Sequence, residues 1–544
     1  MPVKQDATRF DFIIVGAGSA GSVLAERLSA NGRHSILILE AGGRDTNPFL
    51  HIPAGYVKTL VNPKLLWQFR SAPSQGSGGR EIALPQGRVF GGSSSLNGLV
   101  YNRGQARDFD TWAQLGNSGW SYDDILPYFR RSEKRVGGDD KFRGRNGGIV
   151  VSDPHWTHPI CEAFIAGVVS AGVPRSIDYN GADQTGVGYF QRMIDGRFRV
   201  SAARGFLYPA LKRSNVTIRS GVQVSKIVLD GKRAVGVRYF SEGAPTEETE
   251  VRCGREVIVS AGTINSTKLL QLSGIGDPEE LGALGISMQH AVRGVGKNFR
   301  DHYFVRCSAR LQDGVVSLNQ MAKGARLVLE IAKWAAGVPS ILSLSPSIVH
   351  AFWKSSQALD APDLQFVFTP GSFKPGRVYV LDDFPAATCG FTQQRPESVG
   401  YVRLKSKDPL EAPIIQPNYL SAALDRQVCV SAIRLARRFL ASKELSKFYR
   451  NEEVPGANLN SDEELLDFAR STGNTGYHLI GTCMMGPASD PLAVVDSKLK
   501  VHGLHSLRVI DASVMPRMVS ANTYASTLMI GEKGSDLVLA DAAA

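Results

Sequence analysis

Three glycines and one carboxylate near the start of the chain have the types and spacing to hold a dinucleotide. Gly16-Ala17-Gly18-Ser19-Ala20-Gly21 follows the apolar run Phe12 to Val15, and Glu40 closes a second apolar run, Ser35 to Leu39. In such a unit the first glycine permits a tight turn and the second lets a pyrophosphate approach the backbone. The third allows close helix–strand packing, with the phosphates on the helix N-terminus. An acid at the end of the second strand accepts the ribose hydroxyls of an adenosine diphosphate half. Ser19, Ala20 and Ala41 share these two turns and are expected at the cofactor. The elements that must position them are a buried strand, a helix through Leu24, Ala25 and Leu28, and a second buried strand, the opening of a Rossmann-type α/β unit. The motif does not choose between NAD and FAD, whose adenosine halves are the same.

Two further glycine-rich segments carry more specific information. Pro85-Gln86-Gly87-Arg88-Val89-Phe90-Gly91-Gly92-Ser93-Ser94-Ser95-Leu96-Asn97-Gly98 is followed by Arg107-Asp108-Phe109-Asp110 and Gly119-Trp120-Ser121-Tyr122. Val257 to Ser266 runs on to Leu269-Leu270-Gln271-Leu272-Ser273-Gly274-Ile275-Gly276. Such loops offer unhindered backbone N–H groups and small hydroxyls to a pyrophosphate or flavin edge. With the N-terminal motif they resemble the signature segments of the glucose-methanol-choline (GMC) oxidoreductases, flavoproteins that oxidise alcohols. The likeness runs through Gly294-Val295-Gly296-Lys297-Asn298 to Asp511-Ala512-Ser513-Val514-Met515-Pro516, and is strongest to the choline dehydrogenase-like and alcohol dehydrogenase branch. It implies FAD, with contacts from Arg88, Gly92, Ser95, Asn97, Gly98, Leu99, Val100, Val224, Asp511, Ala512, Asn522 and Thr523. Some members attach the flavin through a histidine in the glycine-serine loop. The matching residue here is Leu96, which has no nucleophile, so non-covalent FAD is expected.

Taking a hydride from an alcohol carbon requires the hydroxyl proton to leave as well, so a base and a second polar group are needed beside the flavin. Of ten histidines, His478 lies in Tyr477-His478-Leu479-Ile480-Gly481-Thr482-Cys483-Met484-Met485-Gly486, a segment similar to the one carrying the family's base. Asn522, in Ser520-Ala521-Asn522-Thr523, matches the partner position. Asn522 and Thr523 should also cap an amphipathic helix, Ala525 to Leu539, whose positive end would stabilise charge on a reduced flavin. His302 resembles a family position with a structural role. Three departures stand out: Leu479 replaces a proline, Tyr524-Ala525-Ser526 replaces Asn-Ala-Pro, and Ser343 to Ile348 lacks a glutamate when aligned through Ala351-Phe352-Trp353. Loss of that carboxylate argues against a cation such as choline.

The remaining composition bounds the reading. The chain has 544 residues, 43% hydrophobic and 21% charged, with 56 glycines and a net charge of +11, as a soluble globular protein would have. No basic run is interleaved with aromatics, so nucleic acid is not a partner. The six cysteines lie far apart without metal-ligand spacing, and His155, His158, His502 and His505 have no acid or thiolate cluster beside them, so no metal is expected. Met1 to Arg9 lacks the pattern of a secretory signal, which points to the cytoplasm. An amphipathic helix from Ala322 to Ala336 could touch a lipid surface peripherally at the inner membrane.

The expected fold is α/β (α+β overall). A discontinuous FAD-binding domain takes 1–150, 216–301 and 466–544, with strands at Val222 to Val228 and Leu507 to Ile510. A substrate domain takes 151–215 and 302–465, built on a mixed or antiparallel sheet that includes Leu364 to Phe368 and Ser398 to Leu404. The expected reaction is oxidation of an alcohol to its aldehyde or ketone, with oxygen, a quinone or a dye as acceptor. The alternatives are a hydroxynitrile lyase-type enzyme with non-redox FAD and a flavin-binding scaffold.

Overall fold

In a computed structural model, which describes residues 3–374 and 380–543, two large sheets divide the chain. The first runs in the order Val216–Ser220, Ile36–Glu40, Val3–Val15, Ala244–Val259, Arg233–Ser241, Val222–Asp230, with Leu507–Val509 beside Ala244–Val259. Its first four strands and Leu507–Val509 are parallel, and the Arg233–Ser241 and Val222–Asp230 strands are antiparallel. Phe12, Ile13, Ile14, Ile36, Leu37 and Ile38 are fully buried because helices cover the sheet, which is why these strands read as unbroken apolar runs.

The Ser19–Ser29 helix packs against the C-terminal helix, Tyr524–Ala543. Between them Glu532 is fully buried and accepts from Arg27 Nε at 2.8 Å and Arg131 Nε at 2.5 Å. The C-terminal helix is not amphipathic as expected. Leu528, Met529, Ile530, Glu532, Ser535 and Val538 are buried around its circumference, since both the Ser19–Ser29 and Tyr122–Ser132 helices enclose it.

The second sheet is antiparallel throughout, in the order Tyr449–Val454, Tyr303–Leu311, Ala386–Gln393, Leu364–Thr369, Val349–Trp353, Gly186–Tyr189, with Asn474–Thr475 added beside Tyr303. Ala423–Leu440 and Pro159–Ser170 cover its outer face. The expected strand around Ser398 to Leu404 stands outside this sheet, as Tyr401–Arg403 paired with Ile414–Gln416.

The two cores divide the chain differently from the expected boundaries. Met193, Ile194, Val200, Phe206 and Leu207 belong to the first core. Leu466, Phe468 and Ala469 belong to the second, because Asn474–Thr475 completes the second sheet. The Gly324–Ala335 helix buries Glu330, whose carboxylate accepts from Ile341 N at 3.0 Å and Lys333 Nζ at 2.7 Å. Its Val328, Leu329 and Ile331 are 66%, 55% and 47% exposed. Among the described residues no helix is long and apolar enough to cross a membrane.

Candidate active site

One cavity is lined both by the N-terminal turn and by strands of the second sheet. Gly16, Gly18, Ser19, Ala20, Glu40, Ala41 and Val224 line one end. Gly92, Asn97, Gly98, Leu99, Val100, Asp511 and Ala512 line its middle, and His478, Asn522 and Thr523 its far part. Gly16 takes φ +100°, where a Cβ would meet Ser260 O at 2.5 Å, and a Cβ on Gly21 would lie 2.0 Å from Gly16 O. At Gly18, by contrast, a Cβ would meet nothing within 4 Å. The open space before this backbone is what a dinucleotide pyrophosphate needs. Glu40 accepts from Ala17 N at 2.8 Å and Gly42 N at 2.7 Å. It thereby ties the glycine turn to the end of its own strand, while burial pushes its carboxyl up. The lining chemistry of the cavity therefore fits FAD.

Three residues expected at the cofactor do not line the cavity. Gly21 sits behind the turn, packed on Gly16. Arg88 is held by other contacts, paired with Glu242 at 3.2 Å and stacked over Trp67 at 4.8 Å. The Ser95 hydroxyl donates inward to Phe90 O at 2.7 Å, leaving Ser93 and Ser94 on the cavity wall. Leu96 is also on that wall, and Pro346 and Ser347 from the segment without a glutamate reach it too. Sequence reading missed Lys268, which lies in the wall near Val224. Burial pulls its ammonium down to about 8, and it donates to Pro409 O at 2.6 Å.

His478 and Asn522 come together from segments 44 residues apart: Asn522 Nδ2 lies 2.9 Å from His478 Nε2. The other face of the His478 ring meets His302, Nδ1 to Nδ1 at 2.8 Å, and His302 Nε2 lies 2.8 Å from Gln394 O. Burial lowers His302 to about 4, so its ring is neutral near pH 7. A carbonyl only accepts, so His302 carries its proton on Nε2 and presents a lone pair at Nδ1. His478 must then donate from Nδ1, leaving the Nε2 lone pair to accept from the Asn522 amide. Burial first, and the His302 ring second, hold the His478 imidazole well below its usual 6.5.

The surrounding backbone fixes this arrangement. His478 N donates to Asp301 Oδ1 at 2.8 Å, and Asp301 Oδ2 accepts from Thr475 and Tyr419 hydroxyls, each at 2.5 Å. Burial raises Asp301 to about 6, against the pull of these donors. The turn before Asn522 is tied down by Asp108, which accepts from Ser520 N at 2.7 Å and Ser520 Oγ at 2.8 Å. Asn522 does not cap the following helix, because its side chain faces His478 and its Oδ1 accepts from Gln365 Nε2 at 3.4 Å. Thr523 closes the first turn instead, its carbonyl accepting from Thr527 N at 2.9 Å. His302 thus touches the candidate base directly instead of serving only as structure.

The sequence matches the GMC oxidoreductase family models over residues 10–304 and 396–531. It is 38% identical to the oxygen-dependent choline dehydrogenase of Photobacterium profundum, over 98% of this chain and 93% of the relative. It is 37% identical to the mitochondrial choline dehydrogenase of Mus musculus, over 97% of this chain and 89% of the relative. Pyridoxine 4-oxidase from Mesorbium loti superposes with a TM-score of 0.86 at 30% identity, covering 97% of this chain and 98% of the other. An FAD-dependent oxidoreductase from Chaetomium thermophilum superposes with a TM-score of 0.90 at 26% identity, covering 98% and 100%.

Proposed function

The chain belongs to the GMC oxidoreductase family and oxidises an alcohol with FAD as its cofactor, and on that premise we propose that His478 takes the hydroxyl proton while Asn522 holds the oxygen. The observation that carries this reading is the hydrogen-bond chain Gln394 O, His302, His478, Asn522, which leaves an unprotonated Nε2 turned into the cavity. A hydroxyl that replaces the Asn522 contact donates to His478 Nε2 and accepts from Asn522 Nδ2. As His478 gains the proton, its Nδ1–H remains bonded to the His302 lone pair, which holds the ring in its orientation. The N-terminus of the Tyr524–Ala543 helix lies in the same wall and presents partial positive charge to the cavity.

Bound FAD supplies the acceptor for the hydride that leaves the alcohol carbon as the C=O bond forms. Gly16, Gly18 and Glu40 would hold its adenosine diphosphate half, and Gly92, Asn97 to Val100, Asp511, Ala512 and Thr523 its flavin half. General-base catalysis of this kind contributes on the order of 10²–10⁴-fold. The lyase and scaffold alternatives draw no support from these relatives, which bear the names of dehydrogenases, oxidases and oxidoreductases.

For the acceptor, the name oxygen-dependent choline dehydrogenase borne by one relative favours oxygen over a quinone or dye. The exposed Val328, Leu329 and Ile331, flanked by Arg326 and Lys333, support peripheral contact with an anionic membrane for an enzyme of the cytoplasm. An anaerobic absorbance spectrum recorded before and after adding neutral, anionic and quaternary-ammonium alcohols tests the reaction: bleaching of the flavin band is expected with at least one class. Admitting air then tests oxygen through the rate at which the band returns. Retention of the protein by anionic vesicles at low salt, lost in Leu329→Glu, tests the membrane contact.

A further inference from the structure

The charge of the substrate can be read from the wall of the cavity beyond His478. Cross-strand pairing sets Phe304, Thr392 and Gln365 in one row of the second sheet and Arg306, Gly390 and Val367 in the next. Residues two apart on a strand share a face, and Phe304, Thr392, Gln365, Arg306 and Val367 all line the cavity. The first row reaches the catalytic pair, since Gln365 Nε2 bonds Asn522 Oδ1. The second row is about 7 Å farther along the strands, the span of a short carbon chain.

Arg306 stands in this second row with its guanidinium carbon 5.0 Å from the Phe304 ring centroid, the ring reaching over Gly390 into the same row. Gly390 makes room for that ring: a Cβ there would lie 2.3 Å from Phe304 Cζ. The guanidinium is also close enough to Tyr56 for its charge to offset part of the effect of burial on that phenol. Among the described residues no carboxylate pairs with Arg306. The carboxylates that line the cavity are Glu40 and Asp511, and both already accept hydrogen bonds at the cofactor end, Asp511 from Gly262 N and Ser266 Oγ. Among the described residues the chamber thus has a half-buried cation, apolar and aromatic walls and no anion to balance it. A quaternary ammonium would meet like charge there, whereas a carboxylate would meet a planar fork of N–H donors suited to bidentate pairing.

We propose that the donor is a hydroxy acid, whose carboxylate is held by Arg306 while its hydroxyl faces His478 Nε2. This rests on the alcohol-oxidation reading above. The experiment compares ω-hydroxyhexanoate, the neutral ω-hydroxyhexanamide and ω-hydroxyhexyl-trimethylammonium as donors for the FAD-loaded wild type, Arg306→Gln and Arg306→Lys. It is paired with the melting temperature of each protein with and without hexanoate, a carboxylate that has no hydroxyl to oxidise.

For the wild type, kcat/KM for the acid should exceed that for the amide by about 10- to 100-fold, with the ammonium poorest. Arg306→Gln should bring the acid-to-amide ratio near one, mainly through a higher KM for the acid, and Arg306→Lys should keep part of the preference. Hexanoate should raise the melting temperature of the wild type and not of Arg306→Gln. A wild-type ratio at or below one, or an equal loss on acid and amide in Arg306→Gln, would overturn the proposal. If no donor of any charge bleaches the flavin, the oxidation reading fails. In that case an Arg306-dependent hexanoate shift still supports an anion site here, and its absence removes that too.

Discussion

His302 Nδ1 and His478 Nδ1 lie 2.8 Å apart, and only one of the two nitrogens can carry the proton between them. The Gln394 carbonyl on the far side of His302 decides which, and so fixes the tautomer of the base.

Replacing His302 therefore changes the pH dependence as well as the rate. His478 must be neutral to act, and its depressed pKa keeps it so at pH values below 6.5. The wild-type kcat/KM profile should stay level down through 6.5 and fall only in more acidic solution. In His302→Ala the ring is free to take the other tautomer, which should cost about 10- to 100-fold in kcat. Removal of the His302 contribution to the shift should move the acid limb to higher pH. An unchanged limb would mean that His302 does not tune His478.

The glycine turn separates binding from folding. Gly18→Ala places its Cβ in the open space before the turn, so the variant should fold with an unchanged melting temperature yet bind FAD at least about tenfold more weakly. Gly21→Ala drives a Cβ against Gly16 O and should lower stability by about 1–3 kcal/mol. Flavin content and thermal unfolding measured on both variants distinguish the two effects.

Leu96 offers no atom to bond a flavin. Acid precipitation of the purified protein should leave all of the yellow colour in the supernatant, and colour retained in the pellet would show a covalent link elsewhere.

Glu532 holds Arg27 and Arg131 from a fully buried position where the C-terminal helix crosses the first one. Glu532→Leu leaves both guanidinium groups without their shared acid and should cost about 3 kcal/mol in denaturant unfolding. FAD should dissociate at lower denaturant as well, because the same helix begins at Tyr524 on the cavity wall.

What the sequence disclosed, and what it hid, follows from the range of the interactions involved. Gly16 to Gly21 and Glu40 were legible because strand, turn, helix and strand are contiguous, so the spacing carries the geometry. The resemblance to a family placed His478 and Asn522, and the fold brings them to 2.9 Å. The part played by His302 was not legible. It depends on Tyr303 pairing with Thr475 across the edge of the second sheet, which sets His302 O against Gly476 N. No local pattern announces a pairing over that separation. Arg88 and Ser95 stand off the cavity wall for another reason: side-chain direction within a glycine-serine turn is set by Trp67, Glu242 and Phe90, which come from packing. The amphipathic reading of the last helix missed that two helices would enclose it.

Anaerobic single-turnover reduction of the bound flavin shows whether His478 removes the hydroxyl proton. Wild type and His478→Ala, matched for FAD content, are mixed with an alcohol that bleaches the wild type, across a range of pH. His478→Ala should keep its flavin and lose about 10²–10⁴-fold in the reduction rate, with the wild-type acid limb absent. Reduction of His478→Ala at a rate within a few-fold of wild type, with the same pH profile, would contradict it.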